Sequence, residues 1–357
     1  MKVYDEKYCA ACYFRTKSDY PNKKCLIQLT EKCNMHCEHC FVSAEHLGNE
    51  IEFDKVKKQI LPQLLENNVN KVTLTGGEPF VYSKLFEVIE LLCGNNIEVG
   101  ICTNAMLITE EFLKKVCTYP VHFNVSLDGF SWKSHGKFRG IQNSKIYDKI
   151  IQNIKMLGQY NLLNGILVTP NKYASIEEYV ELCKFANRCG AKYVLMNPLS
   201  QFGRGEEAIS LAFSKQEMEE LRQETEVFNG DMEVVYIRFP NSKCQPLSEC
   251  VAGDIMYIFT NGNIAFCPYM VFAANDNCSI YREEEFILGN IFKDNFSWKE
   301  SMENYHLPIT VDNVCKGCVV KECKKGCYAS KIACGKKLED VDELCPSSGN
   351  GNTKVEE

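Results

Sequence analysis

From residue 24 to about residue 228, short apolar runs alternate with stretches whose apolar positions recur at helical spacing. The runs at 25–30, 71–75, 99–103, 122–127, 165–169 and 193–197 are rich in Val, Ile and Leu and predict strands. The amphipathic stretches 54–66, 84–93, 110–117, 147–157, 176–189 and 215–227 predict the helices between and after them. Such alternation indicates βαβ units and a parallel sheet with right-handed crossovers. Six units curl into an open barrel or stack as a doubly wound sheet, and in both the ligand sits at the carboxyl ends of the strands. The alternation stops near residue 229. Residues 231–345 are loop-rich, with short strands at 256–260 and 264–267, and lack the apolar periodicity of a large core, so a metal staple is expected there. The expected division is a 1–23 extension, a 24–230 strand–helix domain, a 231–345 stapled domain and a 346–357 tail whose small, polar composition predicts disorder.

Composition narrows the class. The chain has 357 residues, 45% of them hydrophobic and 24% charged, which suits a globular protein with a sizeable core. No apolar run approaches the ~18 residues of a membrane helix, and the polar start MKVYDEKYCAA lacks the apolar segment of an export signal. A cytoplasmic protein is expected, with no membrane partner. The net charge of -7 gives no global basic field, so nucleic acid is not an expected partner either. The unusual figure is 21 cysteines, an odd count in a chain without an export signal, which points to metal rather than to a disulfide framework.

The spacing of those cysteines carries chemistry. Cys33, Cys37 and Cys40 follow the first predicted strand as C-x3-C-x2-C. Three thiolates can hold three irons of a cubane [4Fe-4S] cluster and leave the fourth open to chelate a small ligand, whereas ordinary electron-transfer clusters close all four sites. Structural zinc wants four ligands, and His36 or His39 could complete such a set, so the donor set alone does not decide between them.

The second predicted strand ends in Thr75-Gly76-Gly77-Glu78-Pro79. A three-cysteine loop after the first strand and GGEP after the second together resemble the radical S-adenosylmethionine (SAM) enzymes. Adjacent glycines permit close backbone approach to a ligand and leave polar groups free to bind it. The resemblance implies that Gly76, Gly77, Glu78 and Pro79 hold the methionine amine of SAM. The fourth strand ends Ser126-Leu-Asp128-Gly129, with His135 and Arg139 after it, similar to the peptide-modifying branch of that family. By the same resemblance Ser126 binds the SAM carboxylate, Arg139 could pair with the same group, and His39 lies at the aromatic position near the adenine as a packing and backbone element. Residues 199–205 (LSQFGRG) resemble a recurring Gly-Arg loop of unassigned role. The implied fold is α/β: a partial (β/α)6 TIM-like barrel.

The carboxyl-terminal cysteines resemble the SPASM extension of radical SAM enzymes, although the spacing from Cys318 to Cys323 is one residue shorter than the usual pattern. Carried over by position, Cys244, Cys250, Cys267 and Cys327 would bind a first auxiliary cluster and Cys315, Cys318, Cys323 and Cys345 a second. The implied cofactors are three [4Fe-4S] clusters, one of them SAM-binding, and SAM itself. A zinc ribbon at the CxxC of Cys315 is the competing reading. Cys93, Cys102, Cys117, Cys183 and Cys189 fall within helix or strand patterns, where a thiol ordinarily acts as a small buried hydrophobe. Cys9, Cys12 and Cys25 are expected to have minor structural or surface roles. Cys278 and Cys334 are candidate hydrogen-atom donors, against the plainer reading of inert thiols.

In the resembled family a reduced cluster splits SAM and the resulting 5′-deoxyadenosyl radical takes a hydrogen atom from an unactivated carbon. The expected function is a maturase for a ribosomally made peptide, giving a thioether or carbon–carbon cross-link or an epimerised residue. Its partners would be the peptide and an electron donor such as flavodoxin or ferredoxin. A sulfatase-maturating enzyme is an alternative, but in that group an aspartate base follows the cysteine that Cys267 matches, and here Pro268 stands there. Oxidation of a small metabolite is the third reading.

Overall fold

The computed structural model describes residues 23–230, 232–239, 255–293, 295–305 and 326–345. Its frame is a succession of parallel strands, β1 (Lys23–Thr30), β2 (Val69–Gly76), β3 (Glu98–Thr103), β4 (Val121–Ser126), β5 (Leu163–Val168) and β6 (Tyr193–Met196), each hydrogen-bonded to the next. These are the six strands the apolar runs predict. The helices between them begin where side chains can cap free amides. Thr109 caps Glu110–Val116, Asn143 caps Ser144–Gln159, Ser175 caps Ile176–Arg188, and Ser214 forms a capping box with Glu217 at Lys215–Thr225. The helical stretch after β1 is interrupted by a π turn, Val56–Ile60, immediately before Pro62. Proline lacks the N–H of a regular turn and crowds the carbonyl four residues back, and the wider turn accommodates it.

Alternate residues of each strand face opposite ways. On β1, Cys25, Ile27 and Leu29 join the main apolar cluster with Val88, Ile89 and Ile154 from the surrounding helices. Lys24, Leu26 and Gln28 face the barrel interior by the period-two rule, although they too are almost wholly buried. Cys25 is therefore a fully buried core residue of the barrel's first strand, not a surface one.

The sheet continues beyond the six. A seventh strand, β7 (Glu233–Tyr236), pairs in parallel with β6. At the other edge β8 (Ile255–Ile258) pairs in parallel with β1 and forms a hairpin with β9 (Asn263–Ala265), which pairs antiparallel with β10 (Ile287–Asn290). The strand expected at 256–260 is β8, but its pairing with β1 joins residues as far apart in sequence as Lys24 and Ile255, which no local pattern marks, while β7 escapes the sequence because no helical pattern follows it. A second apolar cluster joins Leu26 of β1 to Tyr257, Phe259, Met270 and Ile332, so the carboxyl-terminal segment packs directly on the barrel.

Candidate active site

The loop after β1 is held open by its own backbone and by its neighbours. Cys33 N–H bonds to the Glu45 carbonyl at 2.7 Å, and Glu38 N–H to that of Phe138 at 3.0 Å. Met35 N–H points at Cys33 Sγ and Ala44 N–H at Cys40 Sγ, each at 3.4 Å, while Arg139 Nη1 lies 3.9 Å from Cys37 Sγ. Donors aimed at sulfur are what a thiolate needs. Without metal, burial pushes the Cys33 thiol up to about 11 and the Cys37 thiol up to about 12.

Gly76 and Gly77 press against the root of this loop. A side chain on Gly76 would collide with the Thr30 carbonyl, and one on Gly77 with that of Lys32. Gly77 N–H bonds to Thr30 O at 2.8 Å and Glu78 N–H to Lys32 O at 2.9 Å. The glycines thus bring two stretches of backbone together, and these two amides are taken up by the loop rather than left free for a ligand. Glu78, buried, accepts from Thr103 Oγ1 (2.7 Å), Asn104 N–H (2.8 Å) and Phe80 N–H (3.1 Å). Asn104 in turn donates to Asn34 Oδ1 at 2.8 Å, linking GGEP to the cysteine loop through β3.

Asp128, at the end of β4, is the hub on the other side. It accepts from Thr169 N–H at 2.7 Å and Arg139 Nε at 2.5 Å, and lies 3.6 Å from His39 Nε2. Its backbone N–H donates to His135 Nδ1 at 3.0 Å. Burial opposes its charge, but Arg139, His39 and His135 outweigh that and hold the carboxyl below its ordinary range. His39 stacks on Phe138 with ring centroids 4.1 Å apart, and burial holds it neutral, down to about 4. Arg139 is thus already paired inside the protein, with its fork shared between Asp128 and Cys37.

The sequence left the 199–205 loop without a role, and the structure supplies one. Gly203 (φ +60°) lies so close to the Cys40 carbonyl that a Cβ would come within 2.6 Å of it. This approach lets Arg204 reach into the cysteine loop. Its N–H bonds to Cys40 O (3.1 Å), Nε to Cys37 O (2.8 Å), Nη2 to Ala44 O (3.0 Å) and Nη1 to Glu45 (2.8 Å).

These elements surround one cavity of about 250 Å³, lined by Cys33, Cys37, Cys40, Ser126, Asp128 and Arg139 at its upper end and by Lys24, Cys102 and Tyr257 deeper in the barrel. A family model described as the radical SAM superfamily matches residues 27–185, which carry both the loop and the GGEP segment. Residues 27–185 form a radical SAM domain.

Similarity extends beyond that domain. The antilisterial bacteriocin subtilosin biosynthesis protein AlbA of Bacillus subtilis (strain 168) is 25% identical over 342 residues, covering 89% of this chain and 72% of its own. The mycofactocin maturase MftC of Mycobacterium tuberculosis (strain ATCC 25618 / H37Rv) is 23% identical over 333 residues, covering 89% and 81%. Among solved structures, Streptococcus suis SuiB bound to precursor peptide SuiA superposes with a TM-score of 0.69 at 19% identity, over 91% of this chain and 76% of that one. Native anSMEcpe with bound AdoMet and Cp18Cys peptide gives 0.67 at 18% identity, over 91% and 94%. At these identities the structural likeness is one of fold.

A radical SAM domain carries a [4Fe-4S] cluster and SAM, and the donor set fits them. Cys40 lies near enough to raise the proton affinity of both Cys33 and Cys37, and Cys33 that of Cys37. Among the described residues no three His, Cys, Asp or Glu side chains are grouped as for a single metal ion. Of the remaining cysteines, Cys267 precedes the helix Pro268–Ala274 and Cys327 the helix Tyr328–Ala333, and both thiols border the second apolar cluster. Asp342 accepts from Cys327 N–H at 2.8 Å, and its carbonyl accepts from Cys345 N–H at 3.0 Å, so the two segments meet there. Cys244, Cys250, Cys315, Cys318 and Cys323 lie outside the described residues, as do Cys9 and Cys12.

The two candidate hydrogen donors do not line the cavity. Cys278 is exposed, with its thiol on Glu206 at 3.6 Å, and Cys334 points at Gln201 Oε1 at 3.0 Å. Cys102, read as a core thiol, does line it, and Cys117 is exposed. Among the described residues no helix is long and apolar enough to cross a membrane.

Proposed function

We propose that this chain is a radical SAM maturase that abstracts hydrogen from a ribosomally made peptide and leaves a thioether or carbon–carbon cross-link or an epimerised residue. Cys33, Cys37 and Cys40 would hold the SAM-binding cluster. Gly76, Gly77, Glu78, Pro79, Ser126, Arg139 and His39 would surround SAM. Cys244, Cys250, Cys267 and Cys327, and then Cys315, Cys318, Cys323 and Cys345, would hold two auxiliary clusters in a 231–345 domain beside the 24–230 barrel. A flavodoxin or ferredoxin in the cytoplasm would supply the electron. When bound, the cluster and SAM supply a 5′-deoxyadenosyl radical, which takes hydrogen from an unactivated carbon. The residues of the chain orient these groups. Arg204 and the paired glycines fix the cysteine loop, and Asp128 fixes Arg139 and His39 against it.

The observation that carries a peptide rather than a small metabolite is the shape of the site. The main cavity shares Asn197, Pro198, Ser200 and Tyr269 with a second cavity of about 220 Å³, which runs along residues 197–202 toward Cys327 and Leu344. Two adjoining cavities along residues 197–202 give room for more than a small metabolite. The relatives named for subtilosin biosynthesis and mycofactocin maturation, and SuiB with its precursor peptide, support the same reading. The sulfatase-maturating alternative would need a base after Cys267, and Pro268 at the start of a helix offers none.

The test is anaerobic turnover of a short peptide encoded beside this protein, in H2O and in D2O, with mass spectrometry. Loss of two hydrogens is expected for a cross-link. An unchanged mass in H2O with one deuterium gained in D2O is expected for epimerisation. An unmodified peptide while SAM is being cleaved would count against that substrate. Replacing Cys33, Cys37 and Cys40 together by Ala should abolish 5′-deoxyadenosine formation. Persistence of that product would reject the assignment of the active cluster.

A further inference from the structure

Among the described residues, the buried lysines and arginines have internal partners, with one exception. Arg222 pairs with Glu219 and Glu226, Arg238 with Asp342 at 3.1 Å, and Lys331 donates to Leu338 O at 2.9 Å. Lys24, on the interior face of β1, is only 2% exposed, yet among the described residues its side chain makes no hydrogen bond and no ion pair. It lines the deep end of the same cavity that the three cysteines border above. A buried ammonium without a counter-ion is costly, and an apolar side chain would fill the position more favourably.

Among the described residues around it, none offers a free anion. Lys71, on β2, is a like charge, while Cys25 of β1 and Cys102 of β3 are thiols that burial keeps protonated. The nearby carboxylate, Glu98 at the foot of β3, is engaged with His122 at 3.2 Å and Lys71 at 3.8 Å. Tyr257 of β8 faces the cavity with its phenol protonated, its ionisation pushed up by burial. Among the described residues none supplies a free counter-ion, so a ligand entering the cavity is the source the structure leaves open. Six residues of strand separate Lys24 from Thr30, about 20 Å of backbone. A group meeting Lys24 at the floor is thus distinct from one held by the cysteine loop.

We propose that Lys24 anchors a carboxylate of the substrate peptide at the floor of the barrel, either an acidic side chain or the carboxyl terminus. This rests on the peptide reading above. The unliganded amine is pulled down to about 7, mainly by burial, so a carboxylate arriving at pH 8 draws a proton in with it.

The experiment is calorimetric titration of the reconstituted, SAM-bound enzyme at pH 8 in two buffers of different ionisation enthalpy. The probes are acetyl-Gly-Glu-Gly-amide, acetyl-Gly-Gly-Gly with a free carboxyl terminus, acetyl-Gly-Gln-Gly-amide and glutarate. At least one acidic peptide is expected to bind tenfold or more tightly than the glutamine peptide, with proton uptake, and which one does so identifies the source of the carboxylate. Both the preference and the uptake should vanish in Lys24→Met. Proton uptake in the unaltered enzyme keeps the proposal testable even if that variant fails to fold. Equal binding of acidic and neutral peptides in the unaltered enzyme, a preference that survives in Lys24→Met, or no binding of any probe overturns it. Lys24-dependent binding of glutarate, with neither acidic peptide bound, would keep the anchor and reject the peptide.

Discussion

Asp128 and Lys24 are both buried charged groups, but their environments are opposite. Asp128 is enclosed by Arg139, His39 and a backbone amide, so its charge is satisfied within the protein and serves to aim Arg139 at Cys37. Lys24 has no such shell, and its pKa falls to about 7 from an ordinary 10.5. Between these values the unfolded chain binds the proton that the native chain lacks, so this residue makes stability rise with pH from about 7 to about 10.5. Below 7 the full cost of the buried ammonium is present. Lys24→Met is therefore expected to be more stable than the unaltered protein by a few kcal/mol near pH 6, with the gap closing by pH 10, in calorimetric Tm measurements. A variant destabilised equally at both pH values would contradict this. Arg204 gives a second prediction at this scale. Arg204→Ala strips two loop carbonyls of their guanidinium partner, a cost of about 1–3 kcal/mol per group. The SAM-responsive cluster signal and SAM cleavage should fall at least tenfold in electron paramagnetic resonance and product assays, while the remaining iron stays.

The strand ends are where elements meet chemistry. The cysteine loop, GGEP and the β4 terminus all lie at carboxyl ends of neighbouring parallel strands, because parallel pairing puts those ends on one side. That much was legible from strand order and motif position. What the motif did not reveal is that its glycines serve backbone-to-backbone contact, with the Gly77 and Glu78 amides spent on Thr30 and Lys32. Gly77→Ala places a methyl against the Lys32 carbonyl and should lift the GGEP segment off the loop. SAM affinity is expected to fall by at least tenfold with little change in helix content, read by equilibrium binding and circular dichroism. Arg204 and the Asn104–Asn34 bridge were illegible for a plainer reason: their partners are carbonyls and amides of remote segments, which leave no mark on local composition.

At the scale of the whole molecule, the carboxyl-terminal segment is tied to the barrel by β8 pairing with β1 and by an apolar cluster shared with Leu26. Thermal unfolding of the holoprotein should therefore be a single transition, and stepwise removal of iron by a chelator should lower its Tm without splitting it. Two separated calorimetric peaks would mean that the segment folds independently.

The sequence by itself determined the six strands and their helices, the radical SAM motifs and the three-cysteine loop, because periodicity and short-range spacing are local properties of the chain. Tertiary structure alone decided that β7 and β8 extend the sheet, that Cys278 and Cys334 lie off the cavity, and that Cys102 and Lys24 lie in it. Those outcomes depend on which strands become neighbours and which way their side chains then face. Pairing partners distant in the chain fix both.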